Sequence, residues 1–539
     1  MKESNKEQSR CYVFSLIISL YIIFISFFLE RLWFDMDSLK NHFMIYTVSK
    51  ILLFGLSFMM CFSFQKLKKN GYLSFFVGYT GIMWIMLLLV WPGVWRWDEF
   101  WILDGSRYFI PNSYQHWLTS VLYIASLMIL PFPTGVIIVQ ILLISFLVSF
   151  IIKTINENFL HLSNWTKWIL LIPFLLFPVI DSNLYPVRCS LYAFAELAFI
   201  TFLINEIFNR KRDPEYMITP NATGIFCCLS ILLAVWRSES IYYLVLAPIL
   251  YMLIFKGKTQ KINLLLLIGV MGGGSLFGIK YQNKLLYESI GDQNTVIITL
   301  PYIEYALHNE VLSEEDTILE EINRVIDLKL LCDEGKGVIW DSSKNLIRKD
   351  YTKTEYRRYL FSYIKLIFMY PQDFLRVQIP VVLQANGMCS SGQFIESTEN
   401  LYTNEGNYST ETIGEVFFRH DFTRPVSANL RKNVITILET LEVNKFLWLL
   451  HKITYNAFIP ILGLIFIIVW CFRKKLYLIS GILCSSLIKI PILILSIPGT
   501  AFMYWYPNYL VAWTVVIIFL IYQLKHIINI RKEKHKNEQ

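Results

Sequence analysis

Charged residues are scarce in this sequence: Asp, Glu, Lys and Arg make up 17% of its 539 residues, against about 25% in a typical soluble domain. The chain has no P-loop and no G-x-G-x-x-G pattern, and its nine cysteines form no Cys-x-x-Cys or Cys/His cluster. No nucleotide or metal site is therefore indicated. The alternating segments of about ten residues that build an outer-membrane barrel are also missing. These absences exclude a soluble enzyme, a secreted disulfide scaffold and a barrel.

What the chain has instead is hydrophobic residues, at 55%, in runs separated by short charged stretches. Runs of about 15 to 23 residues match the roughly 30 Å hydrocarbon layer at 1.5 Å per residue. The pattern predicts an all-α polytopic membrane protein with about twelve transmembrane helices. The predicted spans are 11–29, 43–64, 72–94, 134–152, 166–180, 187–207, 222–236, 240–256, 262–282, 447–471, 476–497 and 503–524. The first run is interpreted as an anchor, because no small-residue cleavage site follows it.

One further apolar stretch, 116–130, is short for a span, and the distribution of Lys and Arg decides how it is interpreted. If it does not cross, the basic groups of the short loops fall on one side, which the positive-inside rule makes cytoplasmic. We therefore predict a re-entrant or outer-interface segment at 116–130 and two cytoplasmic termini. The basic groups are Lys2/Lys6/Arg10, Lys66/Lys68/Lys69, Lys153/Lys167, Arg210/Lys211/Arg212, Lys256/Lys258/Lys261, Arg473/Lys474/Lys475 and the tail from Lys525 to Lys536.

This topology divides the chain into three parts. Residues 1–282 form a transmembrane module with an outer loop at 95–133, and residues 447–539 form C-terminal helices with a basic cytoplasmic tail. Between them, 283–446 holds 24 of the 41 acidic residues and is predicted to be a mostly helical extracytoplasmic region with a loop at 385–430. Whether Cys332 and Cys389 pair there stays open.

The outer loop after the third predicted span carries a carboxylate pair, Asp98 and Glu99, among four tryptophans. Trp residues at a membrane interface are ordinary, so one interpretation is an aromatic belt with solvated charges. The other is a general base at the membrane surface, since a carboxylate suits the activation of a hydroxyl group and contributes about 10²–10⁴-fold. Asp98 and Glu99 are therefore the candidate catalytic residues.

Other candidates fall on the same predicted membrane face, each with a structural alternative. Arg237 has the geometry to hold a phosphate bidentately, or it pairs with Glu239 across a turn. An ionisable residue inside a span, Glu196, indicates function or a buried polar link between helices. Lys280 binds substrate or extends to the interface. The candidate substrate- or phosphate-binding residues are His116, Arg188, Arg237, Glu239, Lys280, Tyr504 and Tyr506.

The order of these features resembles the GT-C glycosyltransferases, the integral-membrane enzymes that use polyprenyl-phosphate sugars, and in particular uncharacterised bacterial members. The resemblance covers about residues 72–280 well and the C-terminal third loosely. It departs from the family at His116-Trp117, where related sequences often have His-Pro, and at Arg188-Cys189, where they often have Lys-Asp. The matching features are Pro92-Gly93 and Asp98, the His116-led segment, outer turns with Arg188 and Arg237, Tyr370-Pro371 after an interfacial helix, and Tyr506-Pro507.

The resemblance implies a bacterial plasma-membrane enzyme that transfers a sugar, with inversion, to an extracytoplasmic glycan or lipid acceptor. Asp98 would take the acceptor proton, and the cationic residues would bind the donor phosphate. No nucleic acid is expected as a partner. A divalent metal is possible if Asp98, Glu99 and Asp181 converge. The alternatives are a polysaccharide polymerase or ligase using a diphosphate-linked oligosaccharide, and a transporter or flippase.

Overall fold

The computed structural model describes most of the chain, and within that part the secondary structure is helical. An antiparallel bridge between Ile326 and Ile347 is the one β pairing in the described residues. The described residues are 2–163, 165–213, 215–255, 258–309, 317–334, 343–388, 415–418, 420–439, 445–497 and 499–538. Most of the predicted loop at 385–430, and Cys389 with it, lies outside them.

The α-helices are numbered here in chain order. They are α1 (Lys2–Leu29), α2 (Phe43–Lys69), α3 (Leu73–Leu89), α4 (Trp97–Arg107), α5 (Trp117–Leu127), α6 (Thr134–Ile155), α7 (Phe177–Leu184), α8 (Arg188–Arg212), α9 (Pro220–Trp236), α10 (Tyr243–Ile254), α11 (Lys258–Ile290), α12 (Gln293–His308), α13 (Thr317–Asn323), α14 (Leu328–Glu334), α15 (Ser343–Leu346), α16 (Lys353–Met369), α17 (Pro371–Ala385), α18 (Glu415–Phe418), α19 (Ala428–Glu439), α20 (Lys445–Thr454), α21 (Phe458–Arg473), α22 (Tyr477–Ser485), α23 (Lys489–Ser496) and α24 (Tyr506–Glu538).

Shorter helical turns join several of these helices. Residues Asn156–Leu160 extend α6 as a π-helical turn. The 3₁₀ helices are Glu30–Leu32, Met36–Lys40, Thr166–Phe174, Ser238–Ser240, Asp421–Thr423 and Phe502–Tyr504.

Six helices in the described part are long and apolar enough to cross a membrane, and two bent pairs raise this number to eight if each counts as one span. The prediction of an all-α protein with membrane helices is thereby confirmed, while the count of twelve is not. The six are Ser9–Leu32, Phe43–Lys69, Thr134–Leu160, Arg188–Arg212, Tyr477–Ser496 and Tyr506–Arg531.

The four other predicted spans coincide with α3, α9, α10 and α11. Leu73–Leu89, Pro220–Trp236 and Ser238–Ile254 are apolar helices of about 17 residues, which rise about 26 Å at 1.5 Å per residue. That length falls just short of a hydrocarbon layer of roughly 30 Å. Helix α11 contains the predicted span 262–282, although the side chains near its N-terminal end lie outside the described residues.

Two predicted spans are bent by more than 40° at a break, which corrects the sequence-based boundaries. The segment predicted at 166–180 is a 3₁₀ helix, Thr166–Phe174, followed by α7 at an angle of 64°. Pro173 and Pro178 flank the break, and each proline removes a backbone N–H that a continuous helix would use. The predicted span 447–471 consists of α20 and α21, which meet at 43°.

The ambiguous stretch 116–130 contains α5, whose 11 residues rise about 17 Å. This is roughly half of the hydrocarbon layer, so α5 alone does not cross it. Most of its side chains are buried against the protein, and it packs on α2, α4 and α6. A short helix at membrane depth is tolerated where protein surrounds it.

In the described part of the chain, two separate hydrophobic cores organise the helices. The larger one runs through the apolar helices and defines the membrane body, α1–α11 and α18–α24. The smaller one lies between residues 296 and 374 and defines the lobe, α12–α17. The lobe meets the body where α17 packs on α23 and on Phe502–Tyr504.

Candidate functional site

The segment between α3 and α4 turns sharply before it presents its carboxylates. Gly93 has a φ of +98°, and a Cβ at this position would come within 2.1 Å of Ile137 Cδ1. Only glycine meets both demands. The next residue, Val94, donates its N–H to the carbonyl of Leu184 at 2.9 Å. This turn directs Arg96 and the first turn of α4 towards the beginning of α8.

Arg96, Asp98 and Glu99 form a charged group at the N-terminus of α4. Arg96 Nε lies 2.8 Å from Glu99 Oε2, and Arg96 Nη2 lies 3.5 Å from Asp98 Oδ2. Burial opposes the charge of Arg96, yet the two carboxylates raise its pKa above the ordinary value. Asp98 and Glu99 occupy the first helical turn, where the helix dipole favours negative charge.

The two carboxylates differ in accessibility. The Asp98 side chain is 24% exposed, while that of Glu99 is 1% exposed. Burial raises the pKa of Glu99 to about 7, although the Arg96 charge acts in the opposite direction. Asp98 is the carboxylate that a substrate can approach. Glu99 holds Arg96 in place from the protein interior.

Gln115 and His116 lie against this group. Gln115 Nε2 donates a hydrogen bond to Asp98 Oδ2 at 2.6 Å. His116 adopts a φ of +77° at the start of α5, a strained conformation of the kind that concentrates at functional sites. Its Nδ1 accepts the N–H of Leu118 at 3.3 Å, while its buried Nε2 has no hydrogen-bond partner among the described residues.

The charge state of His116 depends on its surroundings. Burial and the nearby Arg188 charge lower the pKa of His116 to about 3. The imidazole is therefore neutral at physiological pH, so it adds no positive charge beside Arg188.

Helix α11 supports the segment that carries Gln115. Gln282 accepts the N–H of Trp117 at 2.9 Å and donates to the carbonyl of Ser113. Trp117 Nε1 donates to the carbonyl of Gly278 at 3.2 Å. Lys280 lies between these contacts in sequence, but it is exposed, and no hydrogen bond or ion pair joins it to the cluster in the described part. The structure therefore does not place Lys280 with the other candidates.

Two guanidinium groups lie near each other at the start of α8. Arg237 pairs with Glu239 and donates to Cys189 Sγ at 3.1 Å, which is the pairing that the sequence analysis kept as an alternative. Arg188 lies close enough to Arg237, Glu239 and Tyr114 for their charges to act on it. Its guanidinium has no hydrogen bond or ion pair in the described part of the chain. An unpaired cation beside a second cation favours an anionic ligand.

A buried lysine that the sequence analysis missed completes this group. Lys489 is 0% exposed, and its Nζ lies 3.6 Å from Glu239 Oε1. Lys489 and Arg237 lie over the ring of Tyr192, at 4.9 and 5.8 Å from its centroid. The signal for Lys489 was present in its position within an apolar run, because a charge inside a span indicates function or a buried pair.

Glu196 provides a second carboxylate near Lys489. Its Oε1 accepts a hydrogen bond from Tyr243 at 2.9 Å, so α8 and α10 are joined by the buried polar link that the sequence analysis considered. Arg237 and Lys489 thus share Glu239, and Glu196 lies near Lys489, while Arg188 has no ion pair in the described residues. The group keeps an excess of positive charge.

The two candidate tyrosines have different surroundings. Tyr504 lies near Tyr114, Arg96 and Arg237, and burial raises its pKa. Tyr506 is fully buried, and its hydroxyl accepts a hydrogen bond from Ser182 at 2.7 Å. Tyr504 therefore borders the cationic cluster, whereas Tyr506 is engaged in the interior of the body.

Asp181 does not converge with Asp98 and Glu99 to form a metal site. Its Oδ2 accepts a hydrogen bond from Tyr455 at 3.0 Å in a separate buried network. Among the described residues, no three His, Cys, Asp or Glu side chains are grouped so as to hold a metal ion. The residues present therefore do not fit the metal that the sequence analysis allowed.

The structure thus brings together Asp98, Glu99, His116, Arg188, Arg237, Glu239 and Tyr504 from the predicted set, and adds Arg96, Tyr114, Gln115 and Lys489. No family model matches the chain, and no curated protein or solved structure is significantly similar to it.

Proposed function

We propose that this protein is a glycosyltransferase of the GT-C type, which moves a sugar from a polyprenyl-phosphate donor to an extracytoplasmic acceptor. One observation carries the proposal: Asp98 and the unpaired Arg188 both border Tyr114. An accessible carboxylate and an anion-binding cation are the two groups that this transfer requires. The remaining support is the resemblance in the order of motifs.

The proposed reaction assigns Asp98 as the general base. Its carboxylate takes the proton of the acceptor hydroxyl, and the hydroxyl oxygen attacks the anomeric carbon from the side opposite the phosphate. The bond between that carbon and the phosphate oxygen breaks, so the configuration inverts and the lipid phosphate leaves. Gln115 orients the carboxylate through its 2.6 Å hydrogen bond. Glu99 is the second candidate, since its raised pKa suits a base but its burial hinders access.

The cations act on the leaving group. Arg188 and Arg237 would bind the donor phosphate and stabilise the charge that develops on it. Lys489 and Glu239 would hold Arg237 in position, and the Tyr504 hydroxyl adds a donor at the border of the cluster. Lys280 is not part of this assignment because it is exposed, and Tyr506 is not part of it because its hydroxyl is hydrogen-bonded to Ser182.

The proposed membrane arrangement is the GT-C arrangement of about twelve spans, with both termini in the cytoplasm of a bacterial cell. Apart from Lys489, which begins α23, the residues of the cluster come from α4, the segment before α5, the start of α8, the loop after α9 and the segment before α24. The topology from Lys and Arg positions puts all of these elements towards one face. That agreement supports an extracytoplasmic site that a lipid-linked donor reaches from the bilayer.

The test is sugar transfer by the purified full-length protein in vesicles, with a panel of radiolabelled polyprenyl-phosphate sugars. We expect wild-type protein to release lipid phosphate and Asp98→Asn to lose at least about 10²-fold in rate, the low end for removal of a general base. Asp37→Asn, which neutralises an exposed carboxylate before α2, is the matched control and should transfer normally.

The outcomes separate the alternatives. Equal rates for wild type and Asp98→Asn would remove Asp98 as the base and turn attention to Glu99→Gln. Transfer only from diphosphate-linked oligosaccharides would indicate the polymerase or ligase instead. Movement of the labelled lipid across the bilayer without transfer would indicate a flippase.

A further inference from the structure

An open groove lies in the lobe, away from the cluster around Asp98. The C-terminal end of α11, the start of α12 and the first turns of α16 form its walls. Its volume is about 810 Å³, within the range of sites that hold small organic ligands. The residues that give it its chemical character are Tyr287, Lys349, Lys353, Tyr356 and Arg357.

The groove is positively charged. Lys349, Lys353 and Arg357 are exposed, and none of them has a hydrogen bond or ion pair in the described part of the chain. Arg348, a fourth cation in the lining, is engaged with Asn323 and Asp327. The carboxylate of Asp292 accepts the hydroxyl of Tyr351 at 2.7 Å, so it is already partnered within the protein.

Tyrosine rings lie next to these cations. Tyr287 is 58% exposed, and the rings of Tyr351 and Tyr356 are stacked with their centroids 6.0 Å apart. A tyrosine ring offers an apolar face and a polar hydroxyl to the same ligand. Cations beside tyrosine rings suit a ligand whose own rings have apolar faces and carry acidic groups. An acidic saccharide has both features.

The position of the groove along α11 argues against a lipid headgroup. The apolar part of α11 ends near Lys280, and the groove begins at Tyr287 and reaches Gln293. At 1.5 Å per residue, the part of α11 that lines the groove, from Tyr287 to the helix end at Ile290, lies about 10 to 15 Å beyond that boundary. The headgroup layer is only about 5 to 8 Å thick on each side, so the groove faces the aqueous side of the interface.

We infer that this groove binds a segment of an acidic glycan through Lys349, Lys353 and Arg357. Gln282, which holds the Ser113–Trp117 segment, lies about 8 to 12 Å from the groove residues of α11 along the helix axis. A chain of a few sugar units spans that distance. The assignment of this glycan as the acceptor rests on the proposed transferase function, whereas its binding does not.

The experiment measures binding of a galacturonic acid tetramer to the purified full-length protein in neutral-lipid nanodiscs. We expect Lys353→Gln/Arg357→Gln to weaken binding by about tenfold or more, because two charged hydrogen-bond donors are lost. The matched control is Arg358→Gln/Lys365→Gln, which removes the same charge from α16 outside the groove and should change binding less than about twofold. A neutral tetramer of galactose should bind weakly to all three proteins.

Equal losses in the two double variants would show general charge attraction and overturn the proposal. The proposal would also be overturned if the tetramer did not bind. It would be overturned as well if the protein captured phosphatidylglycerol vesicles and only the groove variant lost this capture. The binding assay contains no donor lipid, so it does not depend on transfer. If the tetramer binds but no sugar is transferred, the transferase proposal is rejected and the glycan-binding groove stands. If the groove variant transfers sugar as well as wild type does, the groove is rejected as the acceptor site.

Discussion

The membrane body and the lobe treat their charges in opposite ways. In the body, Glu99, Arg237 and Lys489 are almost completely buried, and each has a partner of opposite charge: Arg96 for Glu99, and Glu239 for the two cations. In the lobe, the ion pairs Arg324–Glu355 and Arg348–Asp327 stay largely exposed. Among the described residues with a buried polar side chain, those of the lobe include Gln293, Thr299 and Ser362, but no charged residue.

This difference matters because desolvation of a charge costs several kcal/mol, whereas an exposed ion pair contributes about 0–1 kcal/mol. A fold that only needed to be stable would not require the buried group around Arg188. The comparison therefore separates a region that keeps its charges buried at an energetic cost, as the proposed reaction would require, from one whose charges face the solvent. Four predictions test this comparison, in order from the largest expected effect to the smallest.

Replacement of Glu239 should have the largest effect on stability. Glu239→Gln leaves Arg237 and Lys489 buried without their shared carboxylate, and removal of one partner from a buried pair costs about 3–5 kcal/mol. We expect a large drop in the thermal unfolding midpoint in detergent. The control is Glu288→Gln, since Glu288 pairs with Lys284 at an exposed position worth about 0.5 kcal/mol or less. Similar midpoints for both variants would contradict a structural role for buried charge in the body.

Replacement of Arg188 should separate activity from stability. Arg188→Gln removes an unpaired cation that lies close to Arg237, so the unfolding midpoint should stay the same or rise. Sugar transfer should nevertheless fall by about 10²–10³-fold, as expected for the loss of one group that stabilises the developing charge. Arg107→Gln, at an exposed position on α4, is the control. A destabilised Arg188→Gln protein would show instead that Arg188 has a structural partner.

The pH dependence of stability should reveal the burial of His116. Its pKa is about 3 in the folded protein and about 6.5 in an unfolded chain. As the pH falls below 6.5, the unfolded state binds a proton that the folded state does not, so stability decreases down to about pH 3. Between pH 7 and pH 5 this loss amounts to about 2 kcal/mol.

The measurement is the difference in unfolding free energy between wild type and His116→Asn at the two pH values. The variant should lose about 2 kcal/mol less than wild type over this interval. His308→Asn, which changes an exposed histidine of the lobe, should follow wild type. Parallel curves for wild type and His116→Asn would mean that the imidazole is solvated.

The smallest effect is expected in the lobe. Thr352 and Glu355 form a capping box at the start of α16, and loss of such a cap costs about 1 kcal/mol. Thr352→Ala should lower the unfolding midpoint slightly and leave sugar transfer unchanged. Thr354→Ala, at an exposed site two residues later, is the control and should not destabilise. A larger loss for Thr352→Ala than for Glu239→Gln would reverse the comparison between lobe and body.

Several features of the site were accessible from the sequence because they depend on local patterns. Asp98 follows a Pro-Gly turn after an apolar run, Arg188 precedes an apolar run and Arg237 follows one. The membrane face that these three residues share could therefore be predicted from the positions of Lys and Arg. The choice between Asp98 and Glu99 could not be made this way. Adjacent residues in a helix differ by about 100° in direction, and which of the two carboxylates is buried depends on the packing of α4.

Other features required contacts between residues distant in sequence. Lys489 reaches Glu239 across 250 positions, and Lys280 faces outward although its neighbours contact Trp117. The breaks that divide two predicted spans follow from proline and from packing, which hydropathy averages out.

By itself, the sequence determined that this is a helical membrane protein, because burial of apolar runs against lipid depends on composition and length alone. The sequence also determined which segments could place charged residues at one face of the membrane. Only the tertiary structure decided which charges neutralise each other, since pairing in a low-dielectric interior requires atoms within about 4 Å. That is why Arg188 became recognisable as the cation left over once Arg96, Arg237 and Lys489 had taken their partners.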